Sequence, residues 1–423
     1  MSDAVMSDTR AYHRINRRQL LQFGAAAIAG ASVSSRLYAA PAGGPRFLLV
    51  FLRGGYDSTN VLIPYASSYY YEARPTIAIA KPDGALTAGA VALDGNWALA
   101  PALRDTIGAM YLQRQVAFVP FAGTDDLSRS HFETQDSIEL GQPANGGRDY
   151  RSGFMARLSD TLMSPSSGWS TGPLIGPSSA IAFTDALPLS FQGTTTVANL
   201  SLKTLGKPPF DERQARILSD MYAGHRLQPA VANGLELRQE VAQAMADEMR
   251  AASRDAINTK GFELEAERMG KLMRDTYRIG FIDVGGWDTH VNEGAAQGVL
   301  ASNLSGLGRG LAAFAQTLGA EWNNTVVVVL SEFGRTFREN GDRGTDHGHG
   351  TVYWVLGGAI RGGRIAGEQQ RLERATLFQD RDYPVLNEYR AVLGGLFRSL
   401  WSLSPAQSER IFQQTQPLEL GLV

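Results

Sequence analysis

Five apolar runs punctuate the chain: Arg46 to Leu52 (RFLLVFL), Gln115 to Gly123 (QVAFVPFAG), the start of Arg278 to His290 (RIGFIDVGGWDTH), the start of Asn324 to Thr336 (NTVVVVLSEFGRT), and Thr351 to Gly358 (TVYWVLGG). Runs this apolar, rich in branched residues and without polar alternation, fit strands covered on both faces. Ahead of the fourth run, Leu304, Leu307, Leu311, Phe314 and Leu318 recur at three- and four-residue steps, the period of an amphipathic helix. Strands alternating with helices predict an α/β fold with a doubly wound, mostly parallel sheet. The stretch at about 152–268 reads differently, with a Ser/Gly/Pro-rich segment and then a long charged helical pattern from Asp211 through Met273. It is expected to be a helical insertion packed beside or over the sheet, within one domain spanning 45–423.

The polar clusters follow the apolar runs, which puts them at the carboxyl ends of the expected strands, the edge where open α/β sheets bind ligands. Asp57 in RGGYDSTN suits an oxygen-liking cation or caps the next segment. Asp288 and His290 are two residues apart, so in extended backbone both side chains point the same way. They read as a pair of metal ligands, or as a capping Asp and a His stacked on Trp287. Glu332 follows an extremely apolar strand, where a carboxylate needs a cation or a partner such as Arg335. His347 and His349, beside Asp346 in GTDHGHG, share the two-residue spacing on glycine-rich backbone that can approach a ligand closely. Ser130 begins an S-x-x-E capping box, so it caps a helix or serves as a nucleophile at the positive helix end, with Ser128 as its alternative. Arg129 is placed to hold an anion. Four of the six histidines, His131, His290, His347 and His349, fall in these clusters.

The absence of cysteine removes thiolate nucleophiles, disulfides and cysteine zinc sites, so any metal must be held by oxygen and imidazole. A net charge of -2 suggests no nucleic-acid partner. Residues 1–40 carry paired arginines, Arg17 and Arg18, a short alanine-rich apolar run, and small residues near Ala39 to Ala42. This is the grammar of a twin-arginine signal peptide, so the expected partner during export is the twin-arginine translocase. The run is roughly half of the ~20 residues a bilayer span needs. The expected location is therefore periplasmic or secreted, with no permanent membrane span.

In order, LRGGYDSTN, SRSHFETQD, GGWDTH, SEFGRTFREN and GTDHGHG make the chain resemble the domain of unknown function 1501 family, from about Arg46 to near the C-terminus. That family is grouped with the alkaline-phosphatase-like superfamily of phosphatases, sulfatases and metal-dependent phosphoglycerate mutases. The resemblance implies a one- or two-metal ester site with Asp57, Asp288, His290, Glu332, His347 and His349 as ligands. It further implies Ser130 as the nucleophile and Arg129 or Arg335 as the oxyanion clamp. Zinc or manganese is the expected ion, with magnesium or calcium as alternatives, and the substrate is a small-molecule or polymeric anionic ester. Two departures stand out: Glu332 is followed by Phe333 where the superfamily has aspartate then histidine, and a cysteine-derived formylglycine is excluded. Two other readings remain open, a non-catalytic metal- or anion-binding envelope protein and a structural or assembly factor whose clusters order loops.

Overall fold

The five apolar runs become five long strands, and shorter strands extend the sheet on both sides. The computed structural model describes residues 44–83, 88–143, 146–163, 179–193, 197–202, 212–229, 231–232, 235 and 261–423. The expected leader at 1–40 lies outside them. The strands are β1 (Arg46–Leu52), β2 (Val116–Gly123), β3 (Ala180–Ala182), β4 (Ala198–Asn199) and β5 (Ile279–Val284). They continue with β6 (Thr325–Ser331), β7 (Thr351–Leu356), β8 (Arg364–Ile365) and β9 (Asn387–Glu388). Their order is β8-β2-β7-β6-β1-β5-β3-β4, with β9 also pairing β2. β1 sits centrally and pairs in parallel with β5 and β6. Every strand of this sheet runs in this direction except β7, which is antiparallel to both its neighbours; a separate small sheet of Leu62–Ile63, Ala98–Leu99 and Val91–Ala92 is antiparallel.

Burial on both faces explains why the long strands lack polar alternation. In β1, Leu48, Val50 and Leu52 enter one core and Phe47, Leu49 and Phe51 the other, all fully buried. The first core is closed by α3 (Phe262–Asp275) and α4 (Val299–Leu318), and the second by α2 (Phe154–Met163) and α5 (Tyr389–Trp401). All five periodic residues of α4, from Leu304 to Leu318, are buried against the sheet. The sheet is therefore doubly wound and mostly parallel. The stretch at 152–268 does more than pack over it: β3 and β4 come from within this stretch and extend the sheet beyond β5. Among the described residues no helix is long and apolar enough to cross a membrane.

Strand direction decides which loops meet. The segments after β1, β2, β5 and β6 leave from the carboxyl edge. Because β7 is reversed, the segment that precedes it, 344–350, arrives at that same edge. A further helix, α1 (His131–Leu140), begins just beyond β2, capped by Ser130, whose hydroxyl accepts from the Glu133 amide at 3.5 Å.

Truncating Leu311 on the sheet-facing side of α4 removes a fully covered side chain and leaves a cavity. Leu311→Ala is expected to lower unfolding free energy by about 2–5 kcal/mol in urea titrations. A loss below about 0.5 kcal/mol, the range of surface substitutions, would contradict this packing.

Candidate metal centre

Three loops meet because their backbones pack directly on one another. Gly334 donates to the His349 carbonyl, Gly348 to the Gly334 carbonyl, and Thr336 to the Asp346 carbonyl, each at 2.9 Å. This short ladder places His347 opposite Arg335. A Cβ on Gly348 would lie 2.5 Å from the Arg335 backbone, so glycine is required there. Gly54, with φ +124°, brings the loop after β1 so near the Asp288 amide that a Cβ would lie 2.8 Å from it.

At this junction His131, His347 and Asp288 converge with ligand atoms close enough to share one ion. The Nε2 atoms of His131 and His347 are 2.9 Å apart, and Asp288 lies 3.5 Å from the first and 3.2 Å from the second. Zinc–nitrogen bonds of 2.0–2.1 Å in a tetrahedron put neighbouring ligand atoms about 3.3 Å apart. His290 adjoins the group, its Nε2 lying 3.1 Å from that of His347 and 2.9 Å from Asp288 Oδ1.

The other ring nitrogens determine what these Nε2 atoms present. His131 Nδ1 donates to Glu332 Oε1 at 2.8 Å, and His347 Nδ1 to the Arg129 carbonyl at 3.1 Å. His290 Nδ1 faces Asp346 at 3.3 Å. With Nδ1 protonated, each neutral ring turns a bare lone pair inward. Two lone pairs 2.9 Å apart repel unless a proton or a cation lies between them, and imidazoles oriented through Nδ1–H by carboxylates and carbonyls are the usual arrangement around metals. The donor set therefore fits a divalent ion.

Protonation follows from the surroundings. The hydrogen bond to Glu332 raises the His131 pKa, partly offset by burial. Burial lowers that of His347, assisted by the charges of His131 and Arg335. Asp288 stays below the usual carboxylate range: burial opposes this, and the Arg335 guanidinium outweighs it. Glu332 is fully buried and nevertheless held low, because His131, Gln135, Ser331 and the Gly54 amide all donate to it.

Several residues singled out by the sequence have other tasks here. Asp57 is not brought to the group; it is fully buried and engaged by two nitrogens of Arg74. His349 is also outside it, its ring 5.0 Å from that of Phe378 and its pKa lowered by burial to about 4. Glu332 orients His131 from behind. Arg335 is buried, bonded to the Gly54, Gly55, Trp287 and Thr345 carbonyls and to Asp288, so it is not a free oxyanion clamp. Arg129 spends its guanidinium on Asp382 and Gln379 and its carbonyl on His347. Ser130 is at the start of α1, next to His131. The candidate ligand to which the sequence assigned no role is His131, which was named only among the clustered histidines. Gln135, four residues on along α1, gave no separate signal.

A match to the family described as "Protein of unknown function (DUF1501)" spans residues 45–412. The chain belongs to this family. No curated protein matches it. Among solved structures, Ps i-CgsB in complex with k-i-k-neocarrahexaose is similar at 11% identity and a TM-score of 0.35, over 86% of this chain and 74% of that one. A protein in the alkaline phosphatase superfamily from Vibrio parahaemolyticus is similar at 12% identity and a TM-score of 0.30, over 74% and 60%.

Behind the centre, Glu293 joins two of its loops by accepting from Thr289 at 2.9 Å and Thr345 at 3.0 Å. Burial, and then the charge of Asp57, push the Glu293 pKa well above the usual range, so the folded protein holds this proton more tightly than the unfolded chain does. The unfolded chain releases it near pH 4.3. Stability from this group is therefore complete below about pH 4.3 and is lost as pH rises through the folded value, by at most ~1.4 kcal/mol per pH unit. Glu293→Gln is expected to gain stability relative to the unmodified protein as pH rises from 5 to 7. Parallel urea midpoints across that range would contradict a retained proton.

Proposed function

We propose that the protein is an exported, metal-dependent hydrolase of phosphate or sulfate esters, acting on a small-molecule or polymeric anionic substrate. The observation that carries this reading is the convergence of His131, His347 and Asp288 at the carboxyl edge of the sheet. Three protein ligands leave a coordination position for substrate, the pattern of catalytic centres as opposed to closed structural ones. Two imidazoles and a carboxylate favour zinc or manganese; magnesium and calcium prefer all-oxygen sets. When bound, the ion supplies Lewis-acid polarisation of the ester oxygens and lowers the pKa of a coordinated hydroxyl.

The chain's own residues divide the remaining work. Glu332 and the Arg129 carbonyl hold the two imidazoles in the tautomer that presents Nε2. Arg335 keeps Asp288 ionised. Ser130 stands beside His131 at the positive end of α1, which suits an anionic group and a nucleophilic hydroxyl. Twin-arginine export of a folded chain accords with loading of the ion before export. The engagement of both Arg129 and Arg335 favours one alternative, a binding protein that holds metal and an anionic ligand without turnover, and the same experiment separates the two.

Metal content and the hydrolysis of p-nitrophenyl phosphate and p-nitrophenyl sulfate should be measured on the full folded protein. The expected outcome is metal near one equivalent or more, abolished in a His131→Ala, His347→Ala variant together with turnover. Glu332→Gln is expected to weaken metal binding about 10- to 100-fold, the usual effect of losing a group that orients a ligand. Ser130→Ala should keep the metal and lose turnover. Metal without turnover on any ester would favour the binding protein, and no metal after reconstitution would sink both readings.

A further inference from the structure

The two oxygens of Asp288 face different neighbours. Oδ2 is turned to His131 at 3.5 Å, and Oδ1 to His347 Nε2 at 3.2 Å. Oδ1 lies 2.9 Å from His290 Nε2, with Asp346 on the far nitrogen of that ring. On donor chemistry alone, Asp288 Oδ1 and His290 Nε2 make a second half-site that would share Asp288 with the first, as bridging carboxylates do where two ions lie about 3.5–4 Å apart. That half-site is filled by Arg335. One terminal nitrogen of its guanidinium bonds Asp288 Oδ1, and the other lies 3.3 Å from His290 Nε2.

We infer that the centre holds a single divalent ion, on His131, His347 and Asp288, and that Arg335 is a built-in cation standing where a second ion would bind. This inference rests on the metal-dependent reading above. Arg335 cannot easily move aside for an ion, because its nitrogens satisfy the Gly54, Gly55 and Thr345 carbonyls, and withdrawing it would leave these buried acceptors unpaired. Asp57, the nearby carboxylate that follows β1, offers no alternative, since Arg74 engages both its oxygens. The charges agree. Among the described residues, the charged side chains that touch the three imidazoles are Asp288, Glu332, Asp346 and Arg335. Three carboxylates and one guanidinium leave two negative charges, which one divalent ion cancels and two would overshoot.

Arg335 is thus a positioning residue: it engages Oδ1, the Asp288 oxygen that also faces His347 and His290, orders His290, and leaves Oδ2, on the His131 side, for the ion. The test is stoichiometry, which a merely structural role would not change. Metal-free full-length protein is titrated with Co²⁺, followed by visible absorption, and zinc is counted by elemental analysis after gel filtration. One ion per chain is expected, and Asp57→Asn and His290→Ala should both keep that endpoint. Folded Arg335→Met is expected to take up a second equivalent on the freed Asp288 and His290 atoms. Two ions in the unmodified protein, with one lost in His290→Ala or Asp57→Asn, would overturn the inference while leaving metal dependence intact. A single endpoint in folded Arg335→Met would overturn the stand-in role. If that variant does not fold, the unmodified protein and His290→Ala still decide the ion count. No binding in any form would overturn the underlying metal reading.

Discussion

A guanidinium buried at the carboxyl edge of a sheet must find acceptors for nearly all of its hydrogens, because an unsatisfied buried charge costs several kcal/mol. Arg335 finds them on Gly54 and Gly55 after β1, on Trp287 and Asp288 after β5, and on Thr345 before β7. The loops after β1 and before β7 are irregular and would otherwise carry the Gly54, Gly55 and Thr345 carbonyls without partners. Satisfying one cation therefore fixes three loops at once, and two of them bear candidate ligands, Asp288 and His347. The same contact keeps Asp288 anionic in surroundings whose burial works against it. Loop geometry and ligand charge have a common origin.

Reversal of β7 is the second requirement. Had this strand run parallel to its neighbours, residues 344–350 would have entered it from the amino edge, on the far side of the sheet from Asp288. Running antiparallel, β7 starts where the other strands end, and its leading segment pairs with the segment after β6 through the Gly334, Thr336 and Gly348 amides. The glycines of GTDHGHG are explained by this backbone-on-backbone packing. At Gly348 a side chain would collide with the main chain of Arg335. The flexibility that a glycine-rich stretch suggests is absent here; the segment is held by a ladder.

The long strands were legible because burial on both faces leaves an uninterrupted apolar run, and α4 because one face alone is buried. The direction of β7 was not legible, since TVYWVL is equally apolar in either orientation and hydrogen-bond register leaves no mark on composition. β3 and β4 were hidden for a related reason: two or three residues carry no period. In the site, Asp288, His290 and His347 stood out through spacing and scarcity. Asp57 stood out equally, yet its charge is met by Arg74, 17 positions further along the chain, in a fully buried pair. Local sequence cannot distinguish a carboxylate awaiting a metal from one awaiting a guanidinium. His131 was grouped with the clustered histidines but given no ligand role, because its partners, Glu332 and His347, are 201 and 216 positions away.

The two imidazoles of the group are not equivalent, and the difference bears on how an anion is received. A ring that donates to a carboxylate is more basic, and a stronger ligand, than one that donates to a neutral carbonyl. His131, backed by Glu332, is therefore the stronger of the pair, and His347, backed by the Arg129 carbonyl, the weaker. Part of the charge of Asp288 is already engaged by Arg335. Under the proposed function, an anionic ester would meet the open position beside the positive end of α1. On this view a free arginine clamp is unnecessary, and Arg129 and Arg335 serve the same anion from behind, one by fixing an imidazole and the other by occupying a carboxylate.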